Sequence, residues 1–157
     1  MHTVVCVGSW VDMAVDSISS EGVDAPSEEA MKQLVLVCLG SAVGGGARYL
    51  LSGWVSRTVG STFPFGTLAA NLIGSLLIGA IMYAGTEASV VSPTVRIMLT
   101  VGLLGGFTTF SAFSFETMRQ LQDGAFAMAS VNVLASVVGC VFCCLLGWLG
   151  CRWLFPA

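Results

Sequence analysis

Asn71 lies inside an apolar run, with Thr67 four residues before it and Ser75 four residues after it. That spacing puts three polar groups on one face of a helix. A side-chain amide brings two N–H donors and one carbonyl acceptor. A single amide in a membrane can serve only to tie helices together; three polar groups exceed that need and point to a pore or binding face. Asn132 and Ser136 form a second, shorter stripe, followed on the same face by Gly139, Cys140 and Cys143. Arg48 lies about two turns from the end of another apolar run. A charge there is costly and by default marks a functional or vestibule position, although a long side chain can also reach the interface.

The most specific run is Gly102-Leu103-Leu104-Gly105-Gly106-Phe107-Thr108-Thr109-Phe110-Ser111-Ala112-Phe113-Ser114-Phe115-Glu116. Paired glycines followed by two β-branched threonines make a poor helix, so a break is expected over Gly105–Thr109. Carbonyls freed there must be met by protein, water or an ion, and they suit a cation such as Na⁺. Phe110 and Phe113, three apart, share a face. The positive edge of a phenyl ring, turned inward, can contact an anion.

These residues are carried by membrane-spanning elements. The chain has 157 residues, 55% hydrophobic and 10% charged, against about 25% charged in soluble domains. Four runs reach the roughly 20 residues needed to cross the hydrocarbon core: about Leu34 to Val55, Gly66 to Gly85, Val95 to Phe115 and Ala125 to Leu149. Short connections separate them, the last being Glu116–Gly124, whose first half can extend the third helix. The predicted fold is an all-α integral membrane protein of four transmembrane helices, the third broken near its middle. Residues 1–30 carry Asp12, Asp16, Glu21, Asp24, Glu28 and Glu29 with no Lys or Arg, and read as a weakly ordered acidic extension to a domain over 31–157. The remainder holds all six basic residues against Glu87, Glu116 and Asp123. Six dispersed cations do not make a nucleic-acid surface. Helix count puts Lys32, Arg96 and Arg152 on one side and Arg57 and Arg119 on the other. So small a bias is weak under the positive-inside rule and permits insertion in both orientations. The Cys140, Cys143, Cys144 cluster reads as small apolar packing residues rather than a metal site, with His2 far away.

Taken together, Gly44-Gly45-Gly46-Ala47-Arg48-Tyr49, Phe65-Gly66-Thr67-Leu68-Ala69-Ala70-Asn71-Leu72-Ile73-Gly74-Ser75 and the Gly105–Ser114 run closely resemble the Fluc (CrcB) family of fluoride channels, in order and spacing over about residues 31–150. The resemblance implies an antiparallel, dual-topology homodimer with two pores and a structural Na⁺ at its centre, in the plasma membrane (the inner membrane of a bacterium). It implies that Asn71 is the pore amide and that Phe110 and Phe113 are the ring pair contacting fluoride. Thr109, Ser111 and Ser136 would line the path, and Arg48 would sit at a vestibule. Gly105 and Thr108 would offer backbone carbonyls to sodium. Where the family pattern carries a tyrosine one turn before the fourth-helix serine, this chain has Asn132.

Fluoride is small and strongly hydrated, so its pore must replace water with donors yet bind weakly enough for release. The expected activity is passive fluoride export that lowers cytoplasmic fluoride. One rival is a small dual-topology, proton-coupled drug exporter, which needs a carboxylate deep in a helix; Glu87 and Asp123 read as loop residues and Glu116 as near a helix end. Another is a structural membrane subunit. An enzyme is not expected, since no nucleophile–base pair or metal set stands out.

Overall fold

The structure, a computed structural model, describes residues 27–60 and 62–156. Almost all of the predicted acidic extension lies outside the described residues. Among those described, every regular element is a helix: α1 (Glu28–Val59), α2 (Phe65–Thr86), α3 (Pro93–Ile97), α4 (Phe110–Gln122) and α5 (Phe126–Leu154). Between α3 and α4 run a π-helical stretch, Met98–Leu104, and one closing turn, Gly105–Phe107. Among the described residues, four segments are long and apolar enough to cross a membrane: Glu28–Val59, Phe65–Thr86, Pro93–Gln122 and Phe126–Leu154. The chain is a multi-pass membrane protein.

The helices outrun the apolar segments for local reasons. α1 begins six residues before Leu34 because Ser27 caps it: its Oγ accepts from the Ala30 N–H at 3.2 Å. Glu28 and Glu29 occupy the first turn, where the helix dipole favours acids. Lys32 lies 2.8 Å from Glu28 one turn on. At the third connection the helix does extend into the first half of Glu116–Gly124, as the sequence allowed, and runs further, to Gln122. It closes in a Schellman turn, with Ala125 N–H donating to the Gln120 carbonyl and Gly124 at φ +73°. Glu116 therefore lies in the interior of a helix.

Contact between α2 and α5 is close because glycines are placed on both. A Cβ on Gly79 would run into the Cys144 carbonyl, and one on Gly147 into the Leu76 carbonyl. In lipid, where burial supplies no drive between helices, such backbone approach is a main source of packing energy. α1 uses the same device against the third segment. Gly44 lies under the Leu103 carbonyl and Gly40 against Leu103 and Met98. Ser41 Oγ also donates to the Gly102 carbonyl at 3.2 Å, within the π-helical stretch.

Candidate functional site

The site is built around two residues that leave the helix. Thr108 (φ −83°, ψ 158°) and Thr109 (φ −153°, ψ 108°) are extended between Phe107 and Phe110. Gly74 of α2 makes room for this: a Cβ there would collide with Thr108 Cγ2. Asn71, one turn before Gly74, pairs with the extended backbone at both ends of its amide. Its Oδ1 accepts from the Thr109 N–H at 2.8 Å, and its Nδ2 donates to the Thr109 carbonyl at 3.2 Å. The side chain thus replaces the bonds that helix formation would have supplied, and one Nδ2 proton remains for another acceptor.

This pairing diverts donors from particular carbonyls. In an uninterrupted helix the Thr109 N–H would donate to Gly105, but it is turned to Asn71. The Ala112 N–H, which would serve Thr108, donates to the Thr109 hydroxyl at 3.2 Å and so caps α4. Gly106, between them, receives Arg48 Nε at 3.2 Å. Arg48 is therefore tied to the interruption. It also lines a cleft of about 540 Å³ with Tyr49, Ser52, Arg57, Thr67 and Thr109.

At the start of α4 the Thr109 and Ser111 hydroxyls lie 3.1 Å apart. The Phe110 and Phe113 ring centroids are 5.2 Å apart, tilted by 49°. Phe110 is 75% exposed, whereas Phe113 is buried. The structure thus brings Asn71, Thr108, Thr109, Phe110, Ser111 and Phe113 together, with Arg48 attached through Gly106. Ser136 is buried on α5, one turn beyond Asn132, and no side-chain hydrogen bond among the described residues joins it to this set.

Of the Thr67, Asn71, Ser75 stripe, the first two members engage α4 and its approach within the same chain. Thr67 Oγ1 donates to Glu116 Oε1 at 2.6 Å. Glu116 Oε2 is buried with no hydrogen-bond partner among the described residues, as are both polar atoms of the Gln120 amide. Such groups are costly unless a further polar partner meets them, which makes this side of α4 hospitable to water or an ion. Thr117 and Gln120 were not singled out from the sequence. Their signal was there, since Phe113, Thr117 and Gln120 fall at i, i+4 and i+7 on one face.

Residues 35–148 match the family described as CrcB-like protein, Camphor Resistance (CrcB). The chain is 52% identical over 120 residues to a protein named fluoride-specific ion channel FluC from Citrifermentans bemidjiense, covering 76% of this chain and 94% of the relative. A protein of the same name from Pelobacter propionicus is 51% identical over 122 residues, covering 78% and 95%. Another from Anaeromyxobacter sp. strain K is 46% identical over 124 residues, covering 79% and 98%.

Proposed function

Because this chain belongs to the CrcB-like family, we propose that it is a fluoride-selective channel, which lets fluoride leave the cell down its electrochemical gradient and so lowers cytoplasmic fluoride. The observation that carries this reading is the reciprocal pairing of Asn71 with Thr109. It opens Pro93–Gln122, taken as one membrane crossing, at its middle, and sets beside the opening a spare amide proton, two hydroxyls and a ring pair. These are weak, neutral donors. They replace parts of a hydration shell without a deep cationic trap, as rapid passage of a small anion requires.

In this proposal the working unit is an antiparallel homodimer. Four crossings are few to enclose a path, and the near-even distribution of basic residues supports insertion in both orientations. A sodium ion at the centre of the pair would be held by the Gly105 and Thr108 carbonyls. The donor set fits, because these are the carbonyls whose helical N–H partners are turned elsewhere. Bound there, sodium would compensate the partial negative charge of carbonyls facing one another. The residues of this chain keep the crossing open around it: Asn71 holds Thr109, and Gly74 leaves space for Thr108.

One ground for setting aside a proton-coupled exporter fails, since Glu116 is inside α4 and not at its end. Its hydrogen bond to Thr67 and the names of the relatives favour the channel. Purified protein in liposomes should release fluoride, read by an ion-selective electrode, with no imposed proton gradient and with little chloride release. Equal release of both anions, or release only when protons are driven, would overturn the reading.

A further inference from the structure

We propose that Asn132 is a positioning residue that holds the Phe110–Phe113 ring pair in place from α5 without itself touching the ion. This rests on the reading that the ring pair lines the fluoride path. Asn132 is only 1% exposed and is the largest fully buried side chain among the described residues. An amide so placed is costly unless hydrogen-bonded. Its Nδ2 donates to Thr117 Oγ1 at 2.9 Å. That hydroxyl in turn donates to the Phe113 carbonyl at 2.8 Å. A two-bond relay therefore runs from α5, across the helix interface, to the backbone of the buried ring.

The relay matters because α4 is a short helix behind an interruption. It has 13 residues, and its axial position is not inherited from α3 across the extended Thr108 and Thr109. In lipid no hydrophobic drive pulls one helix against another, so polar ties help to fix their register. α2 ties α4 at Glu116 and its approach at Thr109. Among the described side-chain hydrogen bonds, the tie between α4 and α5 is Asn132–Thr117. It lies one turn from Ser136 on α5 and one turn from Phe113 on α4. It thus sets the level of the rings against the other wall of the proposed path.

The test is a double-substitution cycle on protein in liposomes, with flux counted per folded molecule and the fluoride/chloride reversal potential recorded. Asn132→Leu and Thr117→Val each remove the same bond from opposite ends. Each should lower fluoride flux about three- to tenfold, the range expected for a membrane hydrogen bond, and shift the reversal potential toward chloride. The double variant should be no worse than either single one. Independent, multiplying losses, or a normal Thr117→Val beside a dead Asn132→Leu, would mean direct ion contact by Asn132 and overturn the proposal. So would loss of folded yield with unchanged flux and potential per molecule. If Asn132→Leu does not fold, Thr117→Val alone decides: an unchanged reversal potential overturns the idea. Absence of fluoride release from the unsubstituted protein would instead sink the channel reading.

Discussion

At the scale of single residues, Asn71 does two things that a pore amide alone would not explain. Its oxygen and one of its protons complete the backbone of Thr109, so the residue builds the opening as well as facing it. Asn71→Asp keeps an acceptor for the Thr109 N–H but removes the donor to the Thr109 carbonyl and adds a negative charge. Fluoride flux in liposomes should fall at least about tenfold, equivalent to about 1.4 kcal/mol at the limiting step; unchanged flux would count against the assigned face. The freed carbonyls of Gly105 and Thr108 carry a different prediction. If sodium bound by them stabilises only the folded form, replacing it with a large organic cation removes RT ln(1 + [Na⁺]/Kd), about 2.7 kcal/mol at a hundredfold excess over Kd. The melting temperature of the purified protein should drop and recover as sodium is restored. A melting temperature indifferent to sodium would exclude that role.

At the scale of elements, the glycines separate packing positions from tolerant ones. A Cβ at Gly147 would meet the Leu76 carbonyl, and one at Gly79 the Cys144 carbonyl, whereas nothing lies within 4 Å at Gly150. Gly147→Val or Gly79→Val should force α2 and α5 apart at a cost of about 1–3 kcal/mol, seen as a lower melting temperature in detergent. Gly150→Ala should leave it unchanged or raise it slightly. Equal effects at all three would mean that the close α2–α5 approach does not support the fold. These elements differed in how legible they were from sequence. Four apolar runs announced four crossings, since hydrocarbon thickness leaves little choice of length. Helix ends were less legible, because capping by Ser27 and the turn at Gly124 are polar, local events that hydropathy does not register. The partners of Asn71 and Thr67 were also out of reach. A stripe shows which face is polar, but which helix it meets is decided by packing. Thr117 was overlooked because its stripe mixes a ring, a hydroxyl and an amide, and no single property repeats along it.

At the scale of the whole molecule, the orientation argument rests on five side chains: Lys32, Arg96 and Arg152 against Arg57 and Arg119. A difference of one positive charge is a weak topological signal, so small changes should have large effects. The connection between α2 and α3 contains Ser89, exposed and with φ 52°, where a cysteine can be introduced and labelled from outside intact cells with an impermeant thiol reagent. In a background where the native cysteines are replaced, about half of the Ser89→Cys molecules should react if insertion is evenly divided. Adding two or three lysines at this connection should drive nearly every copy to one orientation, with this connection inside. The same number added at the α1–α2 connection should drive the opposite. Each biased form alone should then fail to release fluoride, because no antiparallel partner is available, and co-expression of the two should restore release. Labelling of all or none of the unbiased protein would show a single orientation and end the antiparallel proposal. Full fluoride release from one biased form would do the same, while leaving the channel activity itself intact.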